Sequence, residues 1–314
     1  MPTWSAPRAP LPPEWPALRS AVNQIFRPNG GDLTEELPLL FAEENRENLR
    51  VIVDDTGVIV AHAGCLQREA LVLKRRVRVG FIAAVFTAPQ ARRQRLGTRV
   101  LRDALARARA DADLVLASGD RDLYRRQGFE PVPPLARYRL PSHPPASGAP
   151  ADARGRPDGT GTSTAGDLAW RDTTDEDLPA IAALFDKEDV HFVRSPGDWT
   201  RLHAAARLVD APAKLSTVTR AGDVVGFIAT QKASPRPDGS LRPRRILEIA
   251  GDRRAIIDVA PQIADELLVP AYDSNTVDLA GARGWVRTTR QFPITAEPLT
   301  AVARLVPWYG LNYL

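Results

Sequence analysis

Val85-Phe-Thr-Ala-Pro-Gln-Ala-Arg-Arg-Gln-Arg-Leu-Gly-Thr-Arg-Val-Leu101 is the stretch that decides the fold of this chain. It begins as an apolar strand, breaks at Pro89, runs through an arginine-rich loop to Gly97 and continues as an amphipathic helix. The first amides of a helix lack intrahelical acceptors, and the helix dipole adds positive potential there. A loop feeding such an end is therefore suited to an anion. Arg92, Arg93 and Arg95 place side-chain charge at the same point. With a strand in front of it, the loop reads as a pyrophosphate cradle, and the expected ligand is a nucleotide-containing cofactor.

The flanking pattern agrees. Residues 77–87 (VRVGFIAAVFT) are β-branched and apolar for most of their length, as expected of a strand buried on both faces. After Gly97, Leu101, Ala104, Leu105 and Ala108 fall at i, i+3, i+4 and i+7, with Arg99, Arg102 and Arg109 mostly off that stripe. The chain has neither a G-x-G-x-x-G after a strand nor a G-x-x-x-x-G-K-[ST], which sets aside the dinucleotide and P-loop readings.

Arg92-Arg-Gln-Arg-Leu-Gly97 resembles the Q/R-x-x-G-x-G/A loop of the GNAT superfamily of acyl-CoA-dependent N-acetyltransferases. Residues 113–132 (DLVLASGDRDLYRRQGFEPV) look like that family's next unit: a strand, a short helix with a tyrosine, and a Gly-Phe-Glu start to a further strand. The resemblance spans residues 18–140. It implies acetyl-CoA as co-substrate, with the diphosphate on Arg92, Arg93, Gln94, Arg95, Leu96, Gly97 and Thr98. It also implies that the backbone of Val85, Phe86 and Thr87 takes the acetyl carbonyl and pantetheine, on a strand that splays from its neighbour. Tyr124 matches the family's general acid toward the coenzyme A sulfur. A phenol is protonated at neutral pH and can donate to a thiolate. One departure stands out: the loop's first glycine is Arg95 here, which is strained if that position needs a positive φ.

A general base is not visible in the same way. Residues 80–87 contain no carboxylate. Glu43, Glu44 and Glu47 read as solvated helix charges that could approach the acceptor side. His62, in an expected strand, could act through water or serve a structural role. The apolar tail from Trp308 to Leu314 is expected to pack, and the chain's terminal carboxylate is a further candidate base.

The chain has 314 residues, 44% of them hydrophobic, which suggests two domains of average size with ample cores. No stretch of eighteen uninterrupted apolar residues occurs, so no membrane span is expected. The opening residues have no apolar signal-peptide core, and Cys65 is the sole cysteine. A cytoplasmic protein with no metal site is expected. Lys+Arg total 42 against 38 Asp+Glu, and all but Lys74, Lys187, Lys214 and Lys232 of the basic residues are arginine. The Lys74-Arg-Arg-Val-Arg78 cluster reads as a solvated hairpin end. With aromatics at only 6%, nucleic-acid binding is not expected.

Residues 141–167 contain no Val, Ile, Leu, Met, Phe, Trp or Tyr, so they read as a flexible Pro/Gly/Ser-rich linker. The expected division is an acetyl-CoA-binding domain over 1–140, the linker over 141–167 and a degenerate copy with a docking tail over 168–314. Helices are expected over 17–26, 34–45, 97–110 and 120–127, and strands over 49–53, 58–68, 77–87, 114–118, 129–132 and 136–140. The second half repeats that order. Strands are expected over 168–171, 214–219, 224–230, 245–250 and 285–291. Helices are expected from a Thr173/Glu176 capping box through 185 and over 198–208, 255–268 and 276–283. Gly251-Asp-Arg-Arg254 stands where the cradle should be, without its spacing or glycines. The fold class expected is α/β (α+β), two tandem GNAT-like mixed-sheet domains. The implied activity is acetyl transfer to a small-molecule or peptide amine. The alternative is a non-catalytic acyl-CoA sensor.

Overall fold

The computed structural model describes residues 3–141, 160–162, 167–208, 211–235, 239–298 and 300–308. The chain divides into two units: Met1–Val132 with Phe292–Val306, and Pro133–Gln291 with Pro307 and Trp308. Most of the expected linker and the tail beyond Trp308 lie outside the described residues.

Unit 1 begins with α1 (Trp15–Phe26) and a single helical turn, α2 (Leu33–Glu36), that Asp32 caps through its side chain. The helix expected over 34–45 is cut short at Pro38, whose ring and missing amide cannot continue it, and a 3-10 turn over Glu43–Asn48 comes next. After it stand β1 (Arg50–Val53), the long hairpin β2 (Ile59–Val72) and β3 (Arg75–Thr87), α3 (Leu96–Asp111), β4 (Leu114–Ser118), α4 (Asp122–Arg125) and β5 (Glu130–Pro131). The inner stripe of α3, Val100, Leu101, Ala104, Leu105 and Ala108, packs into one apolar core with Ile82, Ala63, Cys65, Val115 and Ala117 of the sheet. Gly80 permits that approach, since a Cβ there would lie 3.1 Å from the Ala108 Cβ.

Unit 2 contains β6 (Leu135–Arg139), β7 (Thr160–Thr162), β8 (Leu168–Asp172), α5 (Leu178–Phe185), β9 (Val190–Phe192), α6 (Pro196–Ala205) and β10 (Arg207–Leu208). The hairpin β11 (Ala211–Arg220) and β12 (Asp223–Gln231) comes next, then the short pair β13 (Ser234–Pro235) and β14 (Leu241–Arg242). The unit continues with β15 (Arg245–Gly251), α7 (Arg253–Ile263), β16 (Glu266–Val269), α8 (Ser274–Ala282) and β17 (Arg287–Arg290). Two expectations shift. The box that starts α5 is formed by Thr174 and Asp177, because Thr173 is buried and bonded to Thr217. The helix expected over 255–268 ends at Ile263, and the apolar residues after it form β16.

A last strand, β18 (Ile294–Glu297), belongs to unit 1, where the order is β1-β2-β3-β4-β18-β5. Unit 2 runs β17-β6-β16-β15-β12-β11-β8-β7. Each sheet therefore holds a strand from beyond its own stretch of chain: β6 departs from the first half and β18 returns from the end. The expected boundaries at 140 and 168 cut across this exchange. Both units contain one parallel strand–helix–strand crossover, β3-α3-β4 and β15-α7-β16, and both are mixed α/β folds of the expected class.

Candidate active site

In unit 1, β3 and β4 pair in parallel from Val79↔Leu114 to Ile82↔Ala117 and no further. From Ala83 to Thr87 the edge of β3 that faced β4 has no strand partner among the described residues, so the two strands form a fork. A bulge lies at its mouth. On the opposite edge, Gly64 of β2 pairs with Ala83 and His62 pairs with Phe86, so the single residue Ala63 faces both Ala84 and Val85. Ala84 takes φ +51°, a left-handed conformation. A bulge of this kind bends its strand and breaks the ladder. Val85, Phe86 and Thr87 come directly after it; Phe86 stands opposite His62, where the ladder turns its amide toward β2, and Thr87 alternates to the fork side.

The arginine loop joins the fork to α3. A Cβ built on Gly97 would stand 2.8 Å from Thr87 Oγ1, so the loop glycine lies against the end of the strand. Arg95 is the N-cap of α3 and makes no side-chain capping bond. None of the amides from Arg93 to Thr98 finds an acceptor among the described residues. Arg92, Arg93, Gln94 and Arg95 are exposed, and no carboxylate among the described residues pairs with the three arginines. Leu96 is buried under the helix, while Gly97 and Thr98 are half-buried. Arg93 and Arg95 take φ +64° and +57°. The substitution of arginine for the loop glycine is therefore the strained case, at about 1–2 kcal/mol per residue. Left-handed residues turn successive amides to one side and make an anion-binding nest.

Tyr124 lies in the same core as Leu96, Val100 and Ala91. Its ring centroid is 6.0 Å from that of Phe129. Gly119, at φ +138°, closes over it: a Cβ there would come within 3.0 Å of Tyr124 Cε2. Burial pushes the phenol up to about 12, against a smaller opposing pull from Arg121. The hydroxyl is thus protonated at all physiological pH. It has no hydrogen-bond partner among the described residues.

The candidate bases lie on different elements, the 3-10 turn over Glu43–Asn48 and β2. Glu43, Glu44 and Glu47 are exposed on the 3-10 turn. His62 is fully buried, and burial pushes it down to about 4, which makes it a weak base. Among the described residues no cluster of three or more His, Cys, Asp or Glu could hold a metal.

Unit 2 repeats this topology with the opposite chemistry. β15 and β16 pair only at Arg245↔Glu266 and Ile246↔Leu267, so a second fork opens beyond them. The head of α7 is closed, however: Asp252 caps it by accepting from the Arg254 and Ala255 amides at 2.9 and 3.1 Å. Arg253 bonds Glu188 at 2.5 Å and Asp273 at 3.0 Å across the fork. What remains leaves about 30 Å³ for the centres of water-sized molecules, space for one or two waters. The Asp252 carboxylate thus occupies the head of α7, within the Gly251–Arg254 stretch that lacked the cradle's spacing and glycines.

Residues 15–129 match the model of the acetyltransferase (GNAT) family. No curated protein matches the chain. Solved structures that share the fold include a GCN5-related N-acetyltransferase from Anabaena variabilis ATCC 29413, at TM-score 0.62 and 17% identity over 94% of this chain and 72% of that one. A probable N-acyltransferase from Enterococcus faecalis V583 gives TM-score 0.62 at 14% identity over 94% and 72%. Eis1 from Mycobacterium abscessus gives 0.57 at 17% over 94% and 73%. The fork and the uncapped loop both lie within the residues 15–129 that match the GNAT family model, and the fold as a whole is similar to that of the GCN5-related N-acetyltransferase structures.

Proposed function

We propose that the chain is an N-acetyltransferase that binds acetyl-CoA on unit 1 alone and acetylates a small-molecule or peptide amine. The observation that carries this is the contrast between two equivalent helix heads: Arg93 to Thr98 present free amides beside unpaired arginines, whereas Asp252 fills the corresponding place in unit 2. The residues of unit 1 fit the co-substrate. Acetyl-CoA supplies an activated thioester. The loop from Arg92 to Thr98 holds the diphosphate, and the edge of Val85, Phe86 and Thr87 orients the thioester carbonyl and pantetheine through backbone groups. Holding carbonyl and amine in one geometry supplies the proximity term, and amides aimed at the carbonyl oxygen stabilise charge as it develops there.

Tyr124 donates a hydrogen bond to the departing sulfur. Burial keeps this phenol protonated, so its O–H is available to the sulfur as general acid when the C–S bond breaks. The test is a thermal shift with acetyl-CoA, then thiol release over a panel of amines, polyamines, aminoglycosides and peptides. Gly97→Asp adds a side chain against Thr87 and a negative charge at the cradle, and is expected to abolish the shift. A normal shift in that variant places the site elsewhere. The lack of a carboxylate over residues 80–87 favours one competing reading, an acyl-CoA sensor without turnover. Binding with no thiol release on any amine would support it.

A further inference from the structure

We infer that His62 is a positioning residue, its Nδ1–H holding the Ala84 carbonyl so that the bulge in β3 keeps the fork open for the thioester; the catalytic part of this inference rests on the function proposed above. Ala84 is the residue that bends β3 away from β4, and it does so at φ +51° without being glycine. A non-glycine residue persists in that region only where its surroundings over-determine it. One buried side chain among those surroundings reaches its carbonyl. His62 Nδ1 lies 2.8 Å from the Ala84 oxygen. The imidazole is fixed from two sides, its centroid 5.9 Å from Phe41 in a stacked arrangement and 5.8 Å from Phe86.

A carbonyl oxygen only accepts, so Nδ1 must carry the proton. Burial disfavours the charged ring, which leaves the neutral Nδ1–H tautomer with a lone pair on Nε2. That Nε2 is buried and has no hydrogen-bond partner. An unsatisfied buried acceptor is costly. Packing alone would be better served at this position by leucine or phenylalanine. The histidine is explained by the one thing those residues lack, a donor aimed at Ala84. Because the side chain ties β2 to the bulge, it fixes the direction in which the Val85 to Thr87 amides point, while touching no substrate itself.

The experiment compares full-length wild type, His62→Leu and His62→Asn. The asparagine amide places an N–H near the position of Nδ1, whereas leucine keeps the bulk alone. With coenzyme A as the binding probe, His62→Leu is expected to retain affinity within about threefold, since the Arg92 to Thr98 loop is intact. Its kcat with acetyl-CoA is expected to fall by 10- to 100-fold, the order that an ångström-scale misplacement costs, and His62→Asn is expected to recover most of that loss. A leucine variant with wild-type kcat, or an asparagine variant no better than leucine, overturns the inference. Long-range 1H–15N spectra of the free protein decide the structural half without reference to activity. A protonated Nδ1 beside an unprotonated Nε2 supports the tie, and an Nε2–H tautomer overturns it even if no amine is ever turned over. Should wild type bind no coenzyme A, the proposed function falls, and the tautomer and the hydrogen exchange of Phe86 and Thr87 still settle the bulge. Faster exchange at those amides in His62→Leu but not in His62→Asn supports the tie, and equal exchange in both overturns it.

Discussion

Ile294→Ala tests the exchanged strand. Ile294 is 1% exposed in β18, where it pairs with Ser118 of β4 while its carbonyl accepts from the Val132 amide. Removing a buried isoleucine to alanine costs 2–5 kcal/mol through lost transfer energy and the cavity left behind. About 3 kcal/mol is reasonable where the neighbours Ala296 and Thr295 are also fully buried. That loss must fall on unit 1 although the residue lies near the end of the chain. It corresponds to a roughly 100-fold rise in the opening equilibrium, and to about 6–12 °C in melting temperature for a domain of this size. Hydrogen exchange read by mass spectrometry locates it. Peptides from β4 and α3 are expected to exchange about 100-fold faster, while those from β15, α7 and β16 keep their wild-type rates. Loss of protection in the α7 peptides with β4 unchanged would refute the assignment of β18 to unit 1.

Tyr124→Phe keeps the ring against Phe129 but removes the donor, so acetyl-CoA binding is expected to survive while kcat falls by about 10²- to 10⁴-fold; an unchanged kcat with chemistry rate-limiting removes Tyr124 from the mechanism. Arg95→Gly relieves a left-handed arginine at φ +57° but restores glycine's larger unfolded-state entropy, so stability is expected to stay within about 0.5 kcal/mol. The same change deletes a charged donor and is expected to weaken acetyl-CoA roughly 10- to 100-fold by calorimetry, with a flatter salt dependence. For pH, burial holds folded His62 near 4 against 6.5 unfolded, so between those values the unfolded state binds more protons and stability rises with pH. Acidification from 7 through 4 should therefore cost wild type up to about 3 kcal/mol that His62→Asn does not lose, as urea unfolding at pH 7 and 4.5 will show.

How much was legible in the sequence depends on how local the deciding forces are. β4 falls on its expected residues 114–118 because Asp113 and Gly119 bracket five apolar or small residues. α3 is within a residue at each end because its i, i+3, i+4 stripe is uninterrupted. The helix expected over 34–45 failed on a breaker inside the pattern, Pro38. The boundary between α7 and β16 was hidden because Ile263-Ala-Asp-Glu-Leu267 carries no glycine or proline to mark it. β18 was missed for a different reason. Ile-Thr-Ala-Glu is a weak strand by itself, and its stability comes from β4 and β5, which lie far away in sequence. Within the site, the loop could be read from charge and glycine, but the bulge could not. An alanine at φ +51° gives no sign of itself in sequence, and His62, visible there as a strand histidine, gave no sign that it reaches this alanine.

The two helix heads differ in how their first amides are satisfied. A helix N-terminus must satisfy its amides either from its own chain or from a ligand. In unit 2 Asp252 does so internally, with Arg220 2.9 Å away and Arg253 locked to Glu188 and Asp273. A diphosphate entering there would have to displace a bonded carboxylate and meet its charge at close range, so the fork can persist as architecture without serving as a binding site. In unit 1 Arg95 leaves the amides open. Yet unit 1 depends on the second half of the chain, because the strand beside β4 is delivered only after the backbone has run through Pro133–Gln291. Removing that stretch would strip β4 of a partner whose residues Ile294, Thr295 and Ala296 are all buried, leaving an apolar sheet edge in the unit that carries the cradle. The sheet of unit 1 is thus completed only by a strand that the chain reaches after Pro133–Gln291.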